Sequence, residues 1–183
     1  MSRYLAYAGH MSESSFTHHD EVDGLVQAWR RERPDLDVAP LEVLSRVSRL
    51  ARHLDLARRE AFGSHDLESW EFDVLAALRR EGSPYALSPG RLVQLTLVTS
   101  GTMTNRIDRL ESRHLVTRSP DPSDGRSVQV VLSDDGRSAV DAALTDLLRH
   151  EQMILSAITP RQREELALLL RYLTVPFEQG PEV

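Results

Sequence analysis

Residues 98–113 (VTSGTMTNRIDRLESR) carry the side chains best suited to recognising another molecule. Thr99 and Ser100 are hydroxyl residues of the kind that cap a helix N-terminus. Met103, Ile107 and Leu110 recur at i, i+4 and i+7, which is one apolar stripe on a helix. Gly101, Thr102, Thr104, Asn105 and Arg109 then project away from that stripe, with Ser100 at its tip. Hydroxyls, an amide and a guanidinium with little bulk between them offer donors and acceptors to base edges and phosphates of double-stranded DNA. Arg106 lies at the border of the two faces, turned partly towards the protein body. There it suits a pocket or a phosphate better than a base edge. Alone, such a pattern is more simply an amphipathic surface helix. The flanking sequence argues otherwise.

A second group stands out by the cost of burying it. Asp73 and Arg80 lie seven apart on the helix expected over 67–81, on one face with Trp70, Ala76 and Ala77. Seven helical residues span about 10.5 Å, too far for a direct ion pair. Each charge therefore needs another partner or exposure to water. Trp29, at the end of a short N-terminal helix, reads as a packing anchor or as the wall of a pocket. Other chemistries are poorly represented. No Ser/His/Asp set, glycine-rich phosphate loop or carboxylate pair stands out, so an enzyme is not expected. His10, His18, His19, His53, His65, His114 and His150 lack metal-ligand spacing, and there is no cysteine. No cofactor is expected.

The elements that position these residues follow along the chain. Residues 1–19 read as a loose leader without the apolar core of a signal peptide. Residues 20–32 form a helix with acids at its start, Arg30 and Arg31 at its end, and Pro34 beyond. Residues 40–62 form a long helix with Pro40 in its first turn and an apolar stripe from Leu41 to Leu54, a scaffold or dimer element. Ser88 and Pro89 open a short helix over 88–96, and a tight turn through Leu97 and Val98 leads into the helix described first. This is a helix-turn-helix. Residues 115–119 and 127–132 read as two strands around the turn-rich loop PDPSDGR, a β-hairpin wing. Arg126 near its tip suits a minor groove, with Asp124 to orient it. Two helices follow, over about 133–157 and 160–174. The second is apolar nearly all round and should be covered by more than its own chain.

The expected fold is mainly α with a small β-hairpin wing. It has an extra N-terminal helix (20–33), a winged helix-turn-helix domain (67–132), a helical dimerisation region (34–66 and 133–177) and a loose tail (178–183). Composition agrees. With 40% hydrophobic residues a chain of 183 can bury a core. No apolar run approaches the ~20 residues that span a bilayer. The net charge is −6, yet residues 88–132 hold six arginines against four acids. What matters for a polyanion is where positive charge sits. Every cationic residue is Arg, so any phosphate contact is a guanidinium contact.

The helix pair RLVQLTLVTSGTMTNRIDRLESRHLVTR and the wing DPSDGRSVQVVLSDDG resemble the MarR family of bacterial transcription regulators, over roughly residues 40–175. The wing matches that family's Asp-Pro-x-Asp-x-Arg, then alternating apolar residues, then Leu-Ser/Thr-x-x-Gly. The resemblance implies a triangular winged-helix homodimer in the cytoplasm. It would bind a pseudo-palindromic operator, commonly as a repressor, and release it when a small anion or phenol binds. Trp29, Asp73, Arg80 and Arg106 are similar in order and spacing to the urate-responsive members. That implies a site in which Trp29 stacks on the ligand and Arg80 holds its charge. Asp73 would accept a ligand N–H or be repelled, and Arg106 would be drawn in, shifting the recognition helix. Related regulators answer to tricarboxylates such as citrate or trans-aconitate. The rival reading is a constitutive DNA-binding module, with Trp29 in the core and Asp73 and Arg80 in dimer salt bridges.

Overall fold

The computed structural model describes residues 19–121 and 127–178. Among these, the elements run α1 (Glu21–Glu32), α2 (Ala39–Gly63), α3 (Ser69–Glu81), β1 (Ala86–Leu87), α4 (Pro89–Thr96), α5 (Ser100–Ser112), β2 (Val116–Pro120), β3 (Val128–Leu132), α6 (Asp134–Leu155) and α7 (Pro160–Glu178). The chain divides into two compact units at Leu147/Leu148. No helix of the described residues is long and apolar enough to cross a membrane.

In the first unit, α1 is closed by a reciprocal cap. The Asp20 carboxylate accepts from Val22 N–H (2.9 Å) and Asp23 N–H (3.1 Å), while Asp23 accepts from Asp20 N–H (2.8 Å). The helix lies against α2 through a small apolar seam of Val22, Val26 and Val38, flanked by Leu25 and Leu41. Arg46 of α2 donates to Asp20 (2.8 and 2.9 Å) and Asp23 (2.7 Å). Arg30–Glu42 and Arg49–Glu21 extend the seam. Such exposed pairs are screened by solvent and contribute little to stability; they mainly fix how α1 sits on α2.

The main core is built around α3. Phe72, Val74, Leu75 and Leu78 are buried, and Phe72 stacks on Phe62 of α2 with ring centroids 4.0 Å apart. Met103, Ile107 and Leu110 of α5 join the same core with Leu92 of α4 and Val116, Val130 and Leu132 of the sheet. Val140, Ala143 and Leu147 bring in the first part of α6, which Arg79 ties to α3 by donating to Asp141 (2.9 Å).

The wing is larger than expected. β2 and β3 pair antiparallel from Val116↔Leu132 to Pro120↔Val128, and β1 adds a third strand through Ala86↔Val131 and Leu87↔Val130. The order is β1-β3-β2. Where the wing enters α6, the Ser133 N–H donates to the Leu115 carbonyl (3.1 Å) and the Ser133 hydroxyl donates to the His114 carbonyl (2.7 Å). Gly136 N–H returns a bond to that hydroxyl (2.9 Å). This explains the Leu-Ser-x-x-Gly run. Serine bridges strand and helix, and glycine lets the Leu115 carbonyl approach.

In the second unit, α7 runs to Glu178 rather than ending near 174, carrying Pro176 inside its last turn. A proline there removes one hydrogen bond but does not end the helix. None of its residues is buried, and Leu169, Tyr172, Leu173 and Phe177 are exposed. The leader (residues 1–18) and the tail from 179 lie outside the described residues.

Candidate DNA interface and adjoining cavity

The two helices of the helix-turn-helix are set by their caps. Ser88 Oγ accepts from Arg91 N–H (3.2 Å) and Pro89 takes the first position of α4. At the other end Leu97 adopts a left-handed conformation, φ 54°, and is 92% exposed. This is a costly geometry for a branched residue, and it turns the chain sharply into α5. Thr99 caps α5, its Oγ1 accepting from Thr102 N–H (3.3 Å).

With Met103, Ile107 and Leu110 buried, the opposite face of α5 is open: Ser100, Gly101, Thr102, Thr104, Asn105 and Arg109 are all exposed. The Thr104 hydroxyl donates back to the Ser100 carbonyl (3.1 Å), and those of Thr99 and Thr102 are 2.9 Å apart. The Asn105 amide has no hydrogen bond among the described residues. An unengaged amide beside short hydroxyls is ready to meet a groove. Arg126 and Asp124, the expected minor-groove contact and its orienter, lie outside the described residues.

The arginines of this region are more engaged than their spacing implies. Arg106, half-buried, and Arg109 both lie over the Trp70 ring, at 5.4 and 4.7 Å from its centroid. Arg109 also donates to Glu68 (2.6 Å). Arg113 donates to Glu71 (2.6 Å) and Asp66 (2.8 Å). Glu71 is fully buried. One oxygen accepts from Arg113 and from Glu68 N–H (2.9 Å), while the other has no partner. This pair fastens the end of α5 to the start of α3. Arg118 is held by Asp108 and Glu111.

Asp73 and Arg80 do converge on a common site. A cavity of about 280 Å³ is bounded by Arg58 of α2, by Phe72, Asp73 and Arg80 of α3, and by Thr96 and Leu97 at the helix-turn-helix turn. Its size is at the low end for small-molecule clefts. Asp73 and Arg80 are both exposed, so neither charge is buried, and Asp73 also accepts from Arg58 at 2.9 Å. Trp29 and Arg106 do not line this cavity. Trp29 is 48% exposed on α1, and Arg106 rests on Trp70. Arg58 was not singled out from the sequence because fifteen residues and a helix boundary separate it from Asp73. Leu97 gave no sign because left-handed positions usually announce themselves with glycine or asparagine.

The MarR family model matches residues 65–127, the stretch from before α3 through the wing. The transcriptional regulator PecS of Dickeya dadantii is 39% identical over 150 residues, spanning 82% of this chain and 90% of that protein. The chain belongs to the MarR family. This MarR-family protein is therefore a DNA-binding transcription regulator with a winged helix-turn-helix fold, in a family of regulators rather than enzymes. It is also similar to the transcriptional repressor NicR of Pseudomonas putida, 30% identical over 141 residues, which span 74% of this chain and 87% of NicR. A solved structure of Bordetella bronchiseptica BpsR covers 72% of this chain and 92% of that one at 29% identity, with a TM-score of 0.60. That work concerns regulation of BpsR DNA binding by 6-hydroxynicotinic acid.

Proposed function

We propose that this regulator is a homodimeric repressor whose hold on its operator is released by a small anion bound in the Arg58–Asp73–Arg80 cavity. The observation that carries the reading is the position of that cavity. Two guanidiniums and one carboxylate line a space that is also lined by Thr96 and Leu97, at the turn of the helix-turn-helix itself. Thr102, Thr104, Asn105 and Arg109, with Ser100 and Arg106 at the flanks, meet the major groove, and Arg126 the adjacent minor groove.

An anion entering beside Arg80 competes with Asp73 for Arg58. Asp73 then accepts a ligand N–H or is pushed away by the ligand's charge. A planar heteroaromatic anion bearing an N–H, such as urate or 6-hydroxynicotinate, satisfies both the guanidiniums and Asp73. A tricarboxylate supplies charge but no donor, so it fits less well. Trp29 and Arg106 lie off the cavity wall and are given no ligand contact in this reading. The ligand acts by preferring one arrangement of the turn over the other, which is the only way a bound molecule shifts such an equilibrium. Dimerisation is assigned to regions 34–66 and 133–177. The exposed Val43, Leu44 and Val47 of α2 and the exposed apolar residues of α7 support a second copy as their cover. As a DNA-binding regulator of a bacterial family it works in the cytoplasm, where its operator lies.

The test is fluorescence anisotropy of a labelled duplex taken from the DNA directly upstream of the gene, titrated with urate, 6-hydroxynicotinate and citrate. Release of the wild type by a heteroaromatic anion, with Arg80→Ala still binding DNA but no longer responding, is expected. No release by any of the three, or an unaltered response in Arg80→Ala, overturns the reading.

A further inference from the structure

Trp70, Glu68 and Arg109 form a closed triangle at the junction of α3 and α5. The Trp70 indole N–H donates to one Glu68 oxygen (2.8 Å), Arg109 donates to the other (2.6 Å), and the Arg109 guanidinium lies over the indole ring at 4.7 Å. Each member touches the other two. Arg106 shares the ring at 5.4 Å, so one indole carries two guanidiniums and one carboxylate stands beside them. Neither Glu68 nor Arg109 is buried, with side chains 58% and 60% exposed. The arrangement is thus a reversible surface contact rather than part of the core. The indole N–H first, and then Arg109, hold the Glu68 carboxyl below the usual carboxylate range, so it is an anion at neutral pH.

The Glu68 carboxylate sits on Arg109 in the way that a DNA phosphate would, oxygen to guanidinium N–H. We infer that Glu68 is a built-in competitor for the phosphate that Arg109 would bind, and that Trp70 is the platform on which Arg109 exchanges one for the other. The inference rests on the reading of Arg109 as a DNA contact. A guanidinium over a ring face keeps other N–H groups available for hydrogen bonds, so a phosphate can replace the carboxylate without the side chain being rebuilt. Approach of the polyanion repels Glu68 at the same moment. The contact therefore lowers affinity for DNA of any sequence. Glu68 and Trp70 are positioning residues on α3, outside the helix that meets the groove.

The test is a salt-dependent anisotropy titration with two probes, the duplex upstream of the gene and a mixed-sequence duplex of the same length. It uses the full chain as wild type, Glu68→Gln, Arg109→Gln and the double variant. Glu68→Gln keeps an acceptor for the Trp70 N–H, and its thermal midpoint is measured alongside to show that the fold is intact. Expected is a gain of about two- to fivefold per subunit at low salt on both probes. The logarithmic salt slope should change little, because Arg109 reaches the phosphate in both proteins, whereas Arg109→Gln should flatten it by about one per subunit. The gain from Glu68→Gln vanishes in the Arg109→Gln background. If Arg109→Gln weakens binding but Glu68→Gln does not strengthen it, or strengthens it equally without Arg109, the competition is overturned while the DNA contact stands. If Arg109→Gln leaves affinity and slope unchanged, the DNA contact fails and takes the competition with it.

Discussion

Replacing Gly136 by alanine should destabilise the protein, whereas the same change at Gly24 should not. A Cβ on Gly136 falls 2.1 Å from the Leu115 carbonyl oxygen and 2.9 Å from Leu132 Cδ1, where ordinary contact begins at 3.4 Å. The oxygen cannot simply retreat, because it accepts the Ser133 N–H that joins β3 to α6. Overpacking against a fixed neighbour costs about 1–3 kcal/mol, and loosening the Ser133 bond about 1 kcal/mol more. Against this stands a gain in helix propensity of at most about 1 kcal/mol. The net expectation is a loss of about 1–3 kcal/mol, or a midpoint lower by roughly 3–10 °C for a chain of this size. A Cβ on Gly24, at the end of the first turn of α1, meets nothing within 4 Å, so Gly24→Ala should be neutral or stabilising by about 0.5–1 kcal/mol. Urea unfolding followed by circular dichroism measures both. Protein concentration is held constant, since dimerisation couples to stability. A Gly136→Ala protein as stable as the wild type would refute the close approach at the wing junction.

Three further outcomes follow from single contacts. Leu97→Gly relieves a left-handed residue, at about 1–2 kcal/mol, but frees the unfolded chain by about 0.5–1 kcal/mol. Unfolding measurements should therefore find it equal to the wild type or up to about 1.5 kcal/mol more stable. Arg113→Ala strands the buried Glu71 carboxylate. Breaking a buried pair costs about 3–5 kcal/mol, which the partial exposure of Arg113 (34%) reduces to roughly 1–3 kcal/mol, read from the urea midpoint. Asp20, chiefly through Arg46, and Asp23, chiefly through the Asp20 N–H and then Arg46, keep their carboxyls below the usual range. Their contribution is present above the ordinary carboxylate pKa of about 4 and is lost as pH falls through the lowered values. The protection factors of the α1 amides, taken relative to the intrinsic exchange rate at each pH, should fall below about pH 4 in the wild type. In Arg46→Ala they should already be lower at neutral pH.

Much of this was legible because it is local. The caps at Ser88 and Thr99 and the Met103, Ile107, Leu110 stripe each lie within two turns of what they position. So do the strand alternation of the wing and the Ser133-to-Gly136 link. The unread parts depend on distance in sequence. β1 has two residues and no period to detect. The capture of Arg109 by Glu68 spans 41 residues, and the pairing of Asp73 with Arg58 spans 15. The surplus of arginine over 88–132 overstates the free charge that the proposed interface holds. Arg113 and Arg118 are tied to carboxylates, and that is decided by packing rather than by composition. The apolar composition of α7 pointed to a cover from a second copy, and within the single chain none of its residues is buried.

The most direct measurement is hydroxyl-radical footprinting of the regulator on the DNA upstream of its gene, comparing wild type with Asn105→Ala and Arg109→Gln. Two protected stretches on one face of the duplex, centred about one helical turn (~10 bp) apart and both weakened in each variant, are expected of a dimer that presents two copies of α5. A single stretch, or two whose protection is indifferent to both substitutions, would contradict the assignment of α5 as the helix that meets the groove.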